Sequence, residues 1–197
     1  MILKMKNTQL LKQINETINL KKKLFKIENN INLAIEKIFE TLNKDGKVFI
    51  CGNGGSAADA QHLSAEFLVR LNPKINRKPL PIISLAMDSS TLTACGNDYG
   101  FKYIFSRNLK ALANKNDLLI VISTSGNSNN ITEVLKESKK MGIYSIGFLG
   151  ASGGKAKKLC DLNLLVPDNN VARIQECHIF LGHFILNQVE KKIIKKK

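Results

Sequence analysis

Between positions 8 and 44, apolar residues fall at Leu11, Ile14, Ile18, Phe25, Ile31, Ile35, Ile38 and Leu42. Most of the steps are threes, fours and sevens, the stripe of an amphipathic helix, and the polar run Glu28-Asn29-Asn30 predicts a hinge dividing it into two helices. Asp45-Gly46 stops the pattern. From there short apolar runs alternate with helical stretches. KVFIC (47–51) reads as a buried strand, GNGGS as a small-residue turn, and Ala57 to Leu71 as a helix. LPIISLA (80–86) predicts a second strand, a short helix precedes the loop from Gly96 to Gly100, and a helix over 101–114 leads to the third strand, DLLIVIS (117–123). The polar turn TSGNSNN, the helix ITEVLKESKKMG with its glycine stop, and the strand YSIGFLG (144–150) follow. LNLLVP supplies a fifth strand ended by Pro167, and residues 171–190 form a long closing helix. Strands alternating with helices imply a doubly wound, five-stranded parallel sheet covered on both faces, with an N-terminal helical extension. Neither an internal repeat nor a second domain interrupts the order.

Composition agrees with one globular unit: 197 residues, 44% hydrophobic and 23% charged. No apolar run approaches the roughly 20 residues of a membrane helix. The start MILKMKNTQLLKQ is broken by Lys, Asn and Gln, which speaks against an export signal. Cys51, Cys95, Cys160 and Cys177 form no CxxC pair, so reduced, mostly buried thiols and a cytoplasmic setting are expected. The net charge of +14 raises the question of a polyanionic partner. Yet residues 1–47 hold 10 basic and 5 acidic side chains, residues 48–189 hold 15 and 10, and residues 190–197 hold 5 and 1. The excess sits mainly at the two ends, aromatics are only 6%, and the tail KKIIKKK has none, which fits a solvated lysine-rich surface better than nucleic-acid binding.

Ligands of doubly wound folds sit outside the carboxyl ends of the strands, and two turns there are rich in small polar residues. STSGNSNN offers the hydroxyls of Ser123, Thr124, Ser125 and Ser128 and the amides around Gly126, just before a helix. Hydroxyls with helix N-terminal amides suit a phosphate dianion, and four hydroxyls exceed what an ordinary N-cap needs. In the first turn, Gly52, Gly54 and Ala57 satisfy GxGxxA, but the acid of a dinucleotide site should follow after about 20 residues. Asp88 stands 36 residues after Gly52, so that reading is set aside. His62 and Glu66 share a helix face at i,i+4, and Gln175 and His183, eight apart, lie broadly on one side of the last helix. Taken singly, these are a surface pair and a core histidine. Beside a phosphate turn they become candidates for a zinc site or for general acid and base groups.

The segments CGNGGSAADAQHLSAEFLVRL, ACGNDYGF, ISTSGNSNN and ARIQECHIFLGH resemble, in order and spacing, the phosphoheptose isomerases of the sugar isomerase (SIS) domain group. The resemblance runs from the N-terminal helices to about residue 190. It implies a flavodoxin-like SIS domain over 47–190, with residues 1–46 as helices packing on the core and in the oligomer and 191–197 as a basic tail. It also implies interconversion of sedoheptulose 7-phosphate and D-glycero-D-manno-heptose 7-phosphate through an enediol, the entry to nucleotide-activated heptoses of lipopolysaccharide or capsule. By the same resemblance, Asn53, Gly54, Gly55, Asn97, Asp98, Ser123, Thr124, Ser125 and Ser128 hold the phosphosugar, with contacts from Glu66 and Gln175. His62, Glu66, Gln175 and His183 bind one zinc per subunit, and homotetramers complete their sites across subunit boundaries. Glu66 is the expected carbon base and His183 the acid and base for oxygen. Two other outcomes remain open at this point: an isomerase of another sugar phosphate, since spacing alone does not specify seven carbons, and a tetrameric SIS-fold adaptor binding a replication initiator, a class that typically lacks part of the set kept here.

Overall fold

The computed structural model describes residues 8–195. The start of the lysine-rich N-terminal segment, residues 1–7, and the last two lysines of the tail lie outside the described residues. Five parallel strands form one sheet: β1 (Val48–Gly52), β2 (Ile82–Ser84), β3 (Leu118–Ser123), β4 (Tyr144–Gly150) and β5 (Leu162–Val166), in the order β2-β1-β3-β4-β5. The chain runs from β1 outward to β2 and then crosses to β3 on the other side. That reversal opens a crevice at the carboxyl ends of β1 and β3, where ligands of such sheets bind. Every residue of β1 and β3 is buried, as expected for central strands covered on both faces.

One face is covered by α2 (Glu28–Asn43), α3 (Gly55–Leu68) and α7 (Val171–Lys195), whose Ile38, Phe67 and Ile185 pack with Ile50, Ile120 and Phe148 of the sheet. The other is covered by α4 (Ser89–Asp98), α5 (Ile104–Leu112) and α6 (Asn129–Lys140), where Phe105, Leu109 and Val134 meet Phe49, Leu119 and Val121. The two apolar sets alternate along β1 and β3, the period-2 pattern of a strand with two buried faces. α1 (Gln9–Lys23) lies outside this sandwich against α7.

Three expected boundaries shift for identifiable reasons. The break between the first helices falls at a 3-10 turn, Leu24–Ile27, and Glu28-Asn29-Asn30 begins α2. Glu28 is then an acid in a helical first turn, where the helix dipole favours it, and Asn30 donates to Asn163 O at 3.0 Å. Strand β2 is shorter than 80–86 because Pro81 has no N–H to give, although its carbonyl still accepts from Val48 N at 2.9 Å. The closing helix continues past Glu190 to Lys195: Val189 and Ile193 pack into the core, and Lys192 pairs with Glu36 at 2.5 Å. Among the described residues no helix is long and apolar enough to cross a membrane.

Candidate active site

β1 and β3 are direct neighbours, with Gly52 opposite Ile122, so the two polar turns lie side by side at the crevice. They are joined by a reciprocal pair of amides: Asn53 Nδ2 donates to Asn130 Oδ1 at 2.9 Å, and Asn130 Nδ2 donates to Asn53 Oδ1 at 2.7 Å. In the second turn, the N–H of Gly126 donates to Ser123 Oγ at 3.0 Å and that of Asn127 to Ser125 Oγ at 3.2 Å. Ser128 is the N-cap of α6, yet its hydroxyl makes no capping bond. The turn is supported from behind, where Ala156 N donates to Gly126 O at 2.9 Å and Lys155 N to Asn127 Oδ1 at 3.1 Å. The result is a fixed loop at a helix N-terminus with an uncommitted hydroxyl, which is what an oxyanion needs.

His62 and Glu66 project from α3, one turn apart. Ser64 between them turns inward and donates to Ile82 O at 2.6 Å, which fixes the helix against β2 and sets its rotation. α7 approaches the same face. A Cβ at Gly182 would fall 2.5 Å from Leu63 Cδ1, so with Leu63 in its present rotamer the close approach needs glycine here. His183, the next residue, thereby brings its Nε2 to 2.9 Å from His62 Nε2, with the rings edge to face at 89°. Glu66 Oε1 lies 3.5 Å from His62 Nε2. Ligand atoms of His62, Glu66 and His183 all fall within 4.8 Å of one another. Gln175, two turns earlier on α7, sits over the first turn: a Cβ on Gly55 would lie 2.7 Å from its Nε2. Burial and then the neighbouring His62 push the His183 imidazole below its ordinary pKa, against the opposing pull of Glu66. At neutral pH it is therefore an uncharged base. Two imidazole nitrogens and a carboxylate at these separations suit bonds of about 2.0–2.2 Å to a single zinc ion.

The sequence profile of the SIS domain matches residues 12–150. The phosphoheptose isomerase of Campylobacter concisus is 52% identical over 162 residues, covering 82% of this chain and 85% of that protein. That of Clostridium acetobutylicum is 45% identical over 189 residues, covering 94% of this chain and 95% of that protein. The chain belongs to the phosphoheptose isomerases of the SIS domain family. The solved phosphoheptose isomerase of Neisseria gonorrhoeae superposes on this SIS domain and its N-terminal helices with a TM-score of 0.86 at 38% identity, covering 93% of this chain and 97% of that one.

Of the residues singled out from sequence, Asn53 ties the first turn to the second through Asn130, Gln175 lies against Gly55, and His62, Glu66 and His183 come together. Asn97 and Asp98 are exposed at the end of α4, where Asn97 Nδ2 donates to Asp98 Oδ1 at 2.8 Å. Three polar residues at or behind the crevice escape the sequence reading. Asp59 lies three residues before His62 and seven before Glu66, hence on their face, and burial raises its carboxyl above the usual range, with His62 opposing. The same i, i+3, i+7 spacing was the signal for it. Asn130 reads as one more polar residue in a helix start, and only the fold pairs it with Asn53. His178, fully buried beneath the sheet face beside Phe148, has its imidazole pushed down to about 4 by burial, against the Leu149 carbonyl. The thiols take no part: burial pushes Cys51 well up and Cys160 to about 12, and all four cysteines are free.

Proposed function

We propose that this chain converts sedoheptulose 7-phosphate to D-glycero-D-manno-heptose 7-phosphate, an aldose–ketose isomerisation that opens the route to nucleotide-activated heptoses for surface polysaccharide. The observation that carries the reading is the meeting of His62, Glu66 and His183 within 4.8 Å on α3 and α7, with α3 rising from a turn that is bonded through Asn53 to the helix behind the hydroxyl-rich turn. Relatives of up to 52% identity that bear the phosphoheptose isomerase name support the choice of sugar. The phosphate is held by the amides and hydroxyls of Ser123, Thr124, Ser125 and Ser128, the sugar by Asn53, Gly54, Gly55 and Gln175, with Asn97 and Asp98 completing the pocket. Glu66 takes a proton from C1 of the ketose and returns it to C2. The electron pair left by the C–H bond forms the enediol, and as it collapses the carbonyl moves from C2 to C1. His183, held uncharged, accepts the O1 proton and supplies one to O2. His62, Glu66, Gln175 and His183 would hold one zinc ion per subunit, which when bound supplies Lewis-acid stabilisation of negative charge on the sugar oxygens.

The enzyme works in the cytoplasm as a homotetramer with sites completed across subunit boundaries. Incubation with sedoheptulose 7-phosphate and zinc, followed by NMR, should yield an aldose phosphate. No aldose signal would overturn the isomerase reading, and equal rates on five- and six-carbon ketose phosphates would overturn the heptose assignment. Protein stripped by a chelator should lose turnover and regain it with zinc; undiminished turnover at a metal content of zero would remove the metal from the reading.

A further inference from the structure

The last carbonyls of a helix lack partners within it. At the end of α3, Val69 N takes Ala65 O, while one side chain from the following loop reaches the next two carbonyls, sharing that of Phe67 with Leu80 N at 3.1 Å. Arg77 donates from Nη2 to Glu66 O and from Nη1 to Phe67 O, both at 3.0 Å, and from Nη1 to Lys78 O at 3.1 Å. Its Nε donates to Glu190 Oε1 at 2.5 Å. The two side chains are 3% and 2% exposed, and the guanidinium lies 5.1 Å from the centre of the Phe67 ring. One planar cation thus caps the helix that carries Glu66 and His62, and ties it to α7, which carries His183 seven residues before Glu190.

A buried ion pair is weak ground for stability, because its desolvation offsets much of its attraction, and two apolar side chains would join the helices as well. They would not grip the backbone of Glu66, the residue whose carboxylate stands in the cluster. A guanidinium does so because its fork reaches two carbonyls and a carboxylate at once, which an ammonium cannot. We infer that Arg77, braced by Glu190, is a positioning residue for the isomerase centre, setting the Glu66 carboxylate against His183. The inference rests on the isomerase reading above.

Two variants test it against the wild-type protein. Arg77→Lys keeps a cation opposite Glu190 but loses the fork. Arg77→Met with Glu190→Met removes both charges and leaves an apolar contact. The expected result for each is a kcat on sedoheptulose 7-phosphate lower by about tenfold or more, with KM changed less than about threefold. Zinc affinity, read by competition with a chromogenic chelator and without turnover, should fall by about tenfold. The double variant should melt at or near the wild-type temperature and still show both losses. A double variant that regains kcat and zinc affinity together with its melting temperature would overturn the inference, leaving the pair a purely structural contact. So would losses in Arg77→Lys no larger than its fall in melting temperature explains. If Arg77→Lys does not fold, the double variant carries the comparison. A wild-type protein inactive on the heptulose phosphate would overturn the isomerase reading alone, since the chelator competition still reports on the geometry of His62, Glu66 and His183.

Discussion

Glu66 and His178 are both titratable groups on the site's helices, and their surroundings give them opposite uses. Glu66 is half-buried at the crevice with an imidazole 3.5 Å away. Glu66→Gln keeps the size and the polar contacts but has no basic oxygen for the carbon-bound proton. Its turnover should fall by about 10²–10⁴-fold while the melting temperature stays within a degree or two of wild type, checked by coupled assay and thermal scan. Near-normal turnover would reassign the base. His178 lies instead against Phe148 of the sheet. It is 0% exposed, and burial depresses its pKa to about 4 from 6.5. The unfolded chain therefore binds a proton that the folded chain refuses between these values. The stability associated with neutral His178 is present in full above pH 6.5 and is lost as the pH falls toward 4. The loss amounts to about 3 kcal/mol at most. His178→Leu should flatten the decline in melting temperature between pH 7 and pH 4.5, and an unchanged slope in that variant would place the acid sensitivity elsewhere.

α3 and α7 meet at the point where a side chain is missing. The contact of Gly182 with Leu63 determines how close His183 comes to His62, so the cluster is a property of helix spacing as much as of its ligands. Gly182→Ala puts a methyl 2.5 Å from Leu63 Cδ1, and the helices must separate or Leu63 must leave its rotamer. Turnover and zinc content should both fall, with a stability cost of about 1–3 kcal/mol. Adding Leu63→Ala makes room for the methyl, and should restore the metal and part of the turnover; a double variant no better than Gly182→Ala would mean that spacing is not the cause. Such contacts explain what could be read from the chain beforehand. The order of strands and helices follows from local periodicity, and both turns announce themselves through Gly, Ser and Asn at strand ends. The pairing of His62 with Glu66 follows from one helical turn. The meeting of α3 with α7, the Asn53–Asn130 exchange and the Arg77–Glu190 tie join residues 77 to 121 positions apart, and no local pattern encodes such distances. The boundary errors have the same origin: Glu28-Asn29-Asn30 looks like a break until Asn163 appears as a partner for Asn30.

At the level of the whole molecule, the charge and the apolar surface occupy the same elements. α1 and α7 leave Leu10, Ile14, Ile18, Phe180 and Phe184 exposed, by 41–69% of their surface, and the hollow between these helices extends to His183. A continuous apolar face of this kind marks an association surface. Residues 1–47 and 190–197 also hold 9 of the 14 net positive charges, Lys21, Lys22 and Lys23 among them. Bringing copies together along this face therefore buries apolar area while crowding cations, and the balance depends on salt. At about 0.01 M ionic strength the screening length is about 30 Å and the subunits repel, whereas at about 0.15 M it is about 8 Å and the apolar contact dominates. Light scattering should accordingly find the proposed tetramer dissociating at higher protein concentration in dilute buffer than in physiological salt, with turnover per subunit falling in parallel. Ile14→Asp combined with Phe184→Asp adds two charges that the apolar contact must desolvate, and should give smaller species at all salt concentrations while the isolated fold keeps its melting transition. A wild-type mass for that variant would show that the subunits associate through another face, and activity retained in the small species would show that each protomer's crevice is complete without its neighbours.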